Sequence, residues 1–120
     1  MTDLREYTRF TRTTAVYMES IEKDTDVKSL QEKLCIAYCA LELADEAGEA
    51  IGKIKKHIRG DYGFGELQER VSPELGDILY PLARLCDELG IDIQRVLEEN
   101  IEKLQGRKDR GKIKGDGDYR

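Results

Sequence analysis

The stretch LELADEAGEAIGKIKK, Leu41–Lys56, places carboxylates and small residues at the spacing of an α-helix. Glu42, Glu46 and Glu49 are four and three residues apart, so in a helix they form a single strip. Like charges at this spacing repel one another by roughly 0.2–0.5 kcal/mol per pair on an isolated helix. The stretch therefore predicts a helix whose acidic strip needs a compensating partner.

The helical pattern continues on both sides of this stretch. From about Ser29 to Ile58 apolar residues recur at steps of three and four, and no proline interrupts them, which predicts one long helix. The mostly polar segment from Leu4 to Ser20 predicts a shorter first helix. The segment RGDYGFGE, residues 59–66, has three glycines in eight residues and predicts a loop.

Two further helices are predicted after this loop. In SPELGD, Ser72 suits the N-cap and Pro73 the first helical position, and the apolar pattern that follows ends before Gly90. Asp92 can cap a fourth helix whose apolar stripe ends at Leu104. Four helices joined by short connections predict an all-α, four-helix bundle-like domain over residues 1–105. Residues 106–120 are rich in glycine and basic residues and predict a flexible C-terminal tail.

Composition limits the functions to be considered. No apolar run approaches the length of a membrane span and the amino terminus lacks the apolar core of a signal peptide, so we expect a cytoplasmic protein without a membrane partner. The net charge of −5 gives no reason to expect stable nucleic-acid binding. Cys35, Cys39 and Cys86 form no metal-binding motif and are expected to be reduced, buried small side chains.

The acidic strip of the long helix gains a possible partner on the third helix. There Glu74 and Asp77 border the apolar face, so packing the two apolar faces can bring two sets of carboxylates together. A divalent cation would offset their repulsion, and oxygen-only ligands favour Mg²⁺, with Mn²⁺ possible, over zinc. The alternative is a solvated helix face with ordinary ion pairs to lysines. The complete strip on the long helix consists of Cys35, Cys39, Glu42, Glu46, Glu49 and Lys53.

The two acidic pairs also resemble a known signature. Glu46-x-x-Glu49 followed by Glu74-Leu-Gly-Asp77 is similar to the motif of the MazG-like, all-α nucleoside triphosphate pyrophosphohydrolases. The segment LGIDIQRVLEENIEKLQGRKDRGKIKGDGDYR, residues 89–120, resembles the last helix and tail of that family. The resemblance covers about Leu41–Arg120. It implies hydrolysis of a nucleoside triphosphate between the α and β phosphates, giving a nucleoside monophosphate and pyrophosphate.

The resemblance also implies roles for individual residues. It makes Glu46, Glu49, Glu74 and Asp77 the ligands of Mg²⁺, with Glu46 also a catalytic carboxylate. Glu42, one turn earlier on the strip, is a candidate general base by geometry only. Small bundles of this family assemble as homodimers or homotetramers, which is the assembly that we expect here.

The fourth helix carries candidates for binding the phosphates. Asn100, Lys103 and Arg107 lie on one helix face, and Arg110 belongs to the basic tail that can close over the substrate. Asn100 lies in the apolar stripe, so we expect its amide to be buried and hydrogen-bonded, either as a core amide or to the substrate. Lys103 and Arg107 can equally be ordinary surface cations near the end of a helix.

Two alternative functions remain compatible with the sequence. One is a non-catalytic helical binding or regulatory module whose acidic face contacts a basic partner. The other is a related enzyme specialised for a different pyrophosphate bond, such as that of phosphoribosyl-ATP or dUTP.

Overall fold

A computed structural model describes residues 3–118 and 120 of the chain. The described residues contain no β-strand, so the predicted all-α fold is confirmed. None of the helices in this part of the chain is long and apolar enough to cross a membrane. The helices are α1 (Leu4–Thr14), α2 (Tyr17–Lys23), α3 (Val27–Ile58), α4 (Phe64–Glu88) and α5 (Ile93–Asp109).

The chain divides into two compact units, the first ending at Leu34 and the second running from Cys35 to the C-terminus. In the first unit, the predicted single helix over Leu4–Ser20 is divided into α1 and α2. Asp3 caps α1 by accepting a hydrogen bond from the Glu6 N–H at 2.8 Å. The threonine hydroxyls near the end of α1 donate to main-chain carbonyls three or four residues earlier. Such back-bonding by β-branched residues weakens a helix, and α1 ends there.

The start of α3 is organised by two aspartates of the first unit. Asp24 accepts a hydrogen bond from the Ser29 hydroxyl at 2.7 Å and is paired with Lys33. The hydrogen bond from Lys33 holds the pKa of Asp24 below its usual value. Asp26 accepts from the Lys28 N–H at 3.0 Å, which satisfies one of the free donors at the start of the helix.

In the second unit, α4 begins nine residues before the predicted start. Gly63 is its N-cap, whereas Ser72 and Pro73 lie inside the helix, so the prediction of a start at SPELGD is wrong. Pro73 cannot donate to the carbonyl of Glu69, but both residues are exposed and water can bond that carbonyl. The first turns of α4 are stabilised by contacts with α3 and with the preceding loop. The sequence around Ser72 does not reveal these contacts.

Side-chain contacts fix the loop between α3 and α4. The Tyr62 hydroxyl donates to the Lys53 carbonyl at 2.6 Å, and His57 Nδ1 lies 2.9 Å from the Tyr62 carbonyl oxygen. The Arg70 guanidinium lies 4.8 Å from the centre of the Tyr62 ring, and the ring of Phe64 meets His57 edge to face. The loop thus joins the last turns of α3 to the first two turns of α4.

The connection from α4 to α5 contains the two predicted features, a glycine after α4 and an aspartate that caps α5. Gly90 has a φ of 67°, a conformation that glycine adopts without strain, and Asp92 caps α5 by accepting from the Gln94 N–H at 2.9 Å. Helix α5 packs against α4 and continues to Asp109, beyond Leu104, where the apolar pattern ends. The predicted tail therefore contributes its first four residues to the helix.

The buried interior of the chain is small. Cys39, Ala50 and Cys86 are the buried apolar residues of the described part, and Pro81 is buried within the uninterrupted α4. All three cysteines were expected to be buried, which is confirmed for Cys39 and Cys86 and wrong for Cys35, which is exposed. Many residues of the predicted apolar stripes are also exposed in the single chain, among them Leu41, Ile51, Leu79 and Ile101. The helices of one chain thus leave large apolar side chains in water.

Candidate metal centre

Three carboxylates from two helices converge in the second unit. Glu46 comes from α3, and Glu74 and Asp77 come from α4, three residues apart and hence on the same helix face. Each offers an oxygen that lies within 4.8 Å of the others. Glu46 and Glu74 are half-buried and Asp77 is exposed, so the cluster is open to solvent on one side. We call these three residues the acidic cluster.

Two oxygen atoms of the acidic cluster lack the partners that burial requires. Glu46 Oε2 and Glu74 Oε2 are inaccessible to solvent and accept no hydrogen bond from the described residues. A desolvated carboxylate oxygen without a donor or cation is energetically unfavourable. These two atoms are therefore suited to bind a cation.

Electrostatic strain is concentrated on Glu46. Burial raises the pKa of its carboxyl group, and the charges of Glu49, Asp77, Asp45 and Glu74 raise it further. Each of these causes disfavours the ionised form of Glu46 in the metal-free protein. A bound cation would act in the opposite direction and favour ionisation.

Glu49 is joined to the acidic cluster through Glu74. A side-chain hydrogen bond with Glu74, together with the charge of Glu74, raises the pKa of Glu49. Of the four residues predicted as ligands, three thus form the acidic cluster. Glu49, which is exposed, lies outside the cluster and interacts electrostatically with Glu74.

The donor set fits a hard divalent cation. Carboxylate oxygens are the ligands that Mg²⁺ and Mn²⁺ prefer, and Mg²⁺ usually takes a few carboxylates and keeps several waters. The acidic cluster can supply such ligands and contains no thiolate or imidazole that would favour zinc. The arrangement is therefore a candidate centre for a divalent cation.

Two charged residues near the acidic cluster are not among the predicted site residues. Asp45, which is exposed, contributes to the raised pKa of both Glu46 and Glu49. Lys53 Nζ lies 3.2 Å from Glu74 Oε1, although Lys53 was expected to pair within its own helix. The sequence did contain a signal for Lys53, because this residue lies four residues after Glu49 on the same strip. Glu42, the candidate general base, is half-buried one turn before Glu46 and lies outside the acidic cluster.

The predicted phosphate-binding cations contact the tail. Arg107 is buried, with 7% of its surface exposed, and its Nη2 donates to the Asp118 carbonyl at 2.9 Å and to Asp118 Oδ1 at 3.3 Å. Lys103 Nζ lies 3.6 Å from the same Asp118 Oδ1. Arg110 donates to the main-chain carbonyl of Arg120 at 2.6 Å. One carboxylate of the tail therefore pairs with two of the predicted cations.

Two details of this region bear on ligand binding. Arg107 Nε is buried without a hydrogen-bond partner in the described residues, so the guanidinium has an unused donor. A cavity of about 500 Å³ lies beside it, lined by Glu102, Lys103, Gly106, Arg110 and Asp118. Asn100 is exposed, so the expectation that its amide is buried is wrong; the apolar stripe around it is itself open to solvent.

Comparisons with known proteins show the family of the chain. The MazG nucleotide pyrophosphohydrolase domain matches residues 37–111, more than half of the chain, and this range includes the acidic cluster and the cations of α5. The chain is 39% identical over 87 residues to the gene 37 protein of Mycobacterium phage L5, covering 71% of this chain and 76% of that protein. No solved structure is significantly similar to the chain. The chain belongs to the family of MazG nucleotide pyrophosphohydrolase domains.

Proposed function

We propose that the protein is a Mg²⁺-dependent nucleotide pyrophosphohydrolase that cleaves an NTP or dNTP between the α and β phosphates. The products would be a nucleoside monophosphate and pyrophosphate. The observation that carries the proposal is the pair of buried, unpartnered oxygens of Glu46 and Glu74 within a cluster of carboxylates from two helices. Membership of the family supports the general activity, and the chemistry of the ligands supports the metal.

The carboxylates would have two roles in the reaction, metal binding and proton transfer. Glu46, Glu49, Glu74 and Asp77 would hold the ion, which when bound neutralises phosphate charge and helps to orient the attacking water. A carboxylate that is free of the ion can accept a proton from that water, and Glu42, which is half-buried one turn before Glu46, would take this role. Glu46, which was predicted as both a ligand and a catalytic carboxylate, would act in catalysis through the ion that it helps to hold.

Binding of the triphosphate would use the cations of α5 and the tail. Lys103 and Arg107 now contact the carboxylate of Asp118, an anion that stands in for a phosphate. A substrate would therefore have to displace Asp118 before these two cations could bind its phosphates. Asn100 and Arg110, both exposed, would add hydrogen bonds from the same part of the chain.

Self-association is part of this proposal. Leu41, Ile51, Leu79 and Ile101 are each more than half exposed in the single chain. Soluble proteins rarely leave so many large apolar side chains in water unless a partner covers them. A homodimer or homotetramer would bury these faces in a symmetric interface.

The test is pyrophosphate release from a panel of NTPs and dNTPs, with and without Mg²⁺. We expect release that requires Mg²⁺ and that is lost in Glu49→Gln and Asp77→Asn variants. Glu69→Gln is the matched control, because Glu69 is an exposed carboxylate of α4 outside the acidic cluster. Absence of release from every triphosphate would disprove the proposal.

The same panel addresses the alternative functions when phosphoribosyl-ATP is added to it. A faster reaction with phosphoribosyl-ATP or dUTP than with the other nucleotides would identify a specialised enzyme. A non-catalytic module would release no pyrophosphate and would not be stabilised against heat by Mg²⁺ and nucleotide together.

A further inference from the structure

Lys53 is the basic side chain that contacts the acidic cluster within the described part of the chain. Its Nζ lies 3.2 Å from Glu74 Oε1, while the other oxygen of the same carboxylate, Oε2, is buried without a partner. The Lys53 side chain is 32% exposed and that of Glu74 is 12% exposed. The ammonium group therefore lies at the solvent side of Glu74 and leaves an inner oxygen free.

The backbone of Lys53 is held by contacts of the loop between α3 and α4. The Tyr62 hydroxyl donates to the Lys53 carbonyl at 2.6 Å, and the Tyr62 carbonyl oxygen is 2.9 Å from His57 Nδ1. The Tyr62 ring is also covered by the Arg70 guanidinium. These contacts fix the point from which the Lys53 side chain extends, whereas its flexible stem allows the ammonium group to move.

The charges of the centre explain why an ammonium group is useful there. The acidic cluster, Glu49 and Asp45 all bring negative charge, and a triphosphate brings more. One bound cation cannot offset all of these charges. The β- and γ-phosphates carry most of the charge of the substrate and leave together as pyrophosphate. A mobile cation beside Glu74 can pair with a carboxylate in the free protein and with a phosphate in the complex.

We propose that Lys53 is a phosphate-binding residue that pairs with Glu74 in the free protein and with the pyrophosphate part of the substrate after a divalent cation binds Glu74. The inference rests on the proposed function and adds a ligand for the leaving group. It predicts opposite effects on two ligands. Without the Lys53 ammonium group, the metal no longer competes with a resident cation, but pyrophosphate loses a partner.

The experiment uses Lys53→Gln, with Lys55→Gln as the matched control. Lys55 is two residues further along α3, is exposed and forms no ion pair with the described residues, so both variants lose one positive charge from the same helix. Isothermal titration calorimetry measures Mn²⁺ binding to the nucleotide-free protein and pyrophosphate binding at saturating Mg²⁺. Pyrophosphate is a suitable probe because it does not depend on the base of the nucleotide.

We expect Lys53→Gln to bind Mn²⁺ at least as tightly as the wild type and pyrophosphate at least tenfold more weakly, while Lys55→Gln matches the wild type for both. A Lys53→Arg variant should recover much of the pyrophosphate binding. Thermal unfolding followed by circular dichroism checks that each variant is folded. Should Lys53→Gln fail to fold, Lys53→Arg and Lys53→Met are compared in the same titrations, with the same expected difference.

Three results would overturn the inference. They are equal pyrophosphate binding by the Lys53 and Lys55 variants, parallel loss of Mn²⁺ and pyrophosphate binding in Lys53→Gln, and failure of the wild type to bind pyrophosphate. The second result would mean that Lys53 only supports the structure of the centre. The proposed function fails separately, if the wild type releases no pyrophosphate from any triphosphate.

Discussion

Glu46 and Glu74 lie on different helices, 28 residues apart in sequence, and each holds a buried oxygen that has no partner in the described part of the protein. With Asp77 they bring three carboxylates to within 4.8 Å of one another. Repulsion and desolvation both oppose this arrangement, as the raised pKa of Glu46 indicates. A bound divalent cation would relieve both costs.

Substitution of the ligands should remove activity without unfolding the protein. We expect Glu46→Gln and Asp77→Asn to lower kcat/KM by at least roughly 100-fold, because the proposed metal ligands would no longer carry charge. The same variants should be at least as heat-stable as the wild type without metal, since each removes a repulsive charge. Activity assays and thermal unfolding in EDTA test this. An active Asp77→Asn enzyme would contradict the assignment.

The stability of the metal-free protein should depend on pH through Glu46 and Glu49. Folding raises the pKa of both groups above the usual 4.5. Their contribution to stability is therefore complete below about pH 4.5 and is lost as the pH rises through the folded pKa values. Asp24 and Asp61 have lowered pKa values, so their contribution is lost only as the pH falls through those values, below 3.8.

Thermal unfolding between pH 5 and 8 measures this effect. We expect the melting temperature in EDTA to fall as the pH rises, and Mg²⁺ to reverse the fall because it stabilises the ionised carboxylates. Glu46→Gln should reduce the dependence on pH, whereas Glu69→Gln should not. A melting temperature that rises across this range in EDTA would contradict the raised pKa values.

Removal of the Asp118 carboxylate should improve substrate binding. Asp118 pairs with Arg107 and Lys103, so Asp118→Asn removes the charge that competes with phosphates for these two cations. Arg107 keeps its hydrogen bond to the main-chain carbonyl of residue 118. We expect KM to fall by about two- to fivefold, the range that corresponds to a weak, partly exposed ion pair. Asp116→Asn is the control, because Asp116 accepts from the Gly117 N–H and forms no ion pair in the described residues. An unchanged or increased KM in Asp118→Asn would show that the tail does not compete with substrate.

The protein should sediment as a dimer or tetramer. Leu79 of α4 and Ile101 of α5 are 64% and 58% exposed in the single chain, and burial in an interface would stabilise the assembly. We expect Leu79→Glu or Ile101→Glu to shift sedimentation velocity profiles towards smaller species. Gln68→Glu, which adds the same charge at an exposed polar position of α4, should have no effect. A monomeric wild type at micromolar concentration would contradict the expectation.

Local patterns in the sequence were sufficient to predict much of the fold. The three- and four-residue steps of apolar side chains identified the long helix α3, and Asp92 was correctly identified as the N-cap of α5. Both depend on groups within one or two turns of the chain, where spacing alone determines which atoms meet. Ser72 and Pro73 show the limit of this reasoning. Their local start signal was overridden because Tyr62 and Arg70 stabilise earlier turns of α4.

The sequence also predicted part of the candidate site, and the tertiary structure decided the rest. Sequence by itself determined that Glu46 and Glu49 share one helix face and that Glu74 and Asp77 share another, because helical geometry follows from residue spacing. Only the tertiary structure decided that Glu46 meets Glu74 and Asp77, that Lys53 pairs with Glu74, and that Asp118 reaches Arg107. These pairs join residues from different segments, and their distances depend on how the segments pack, which spacing along the chain does not specify.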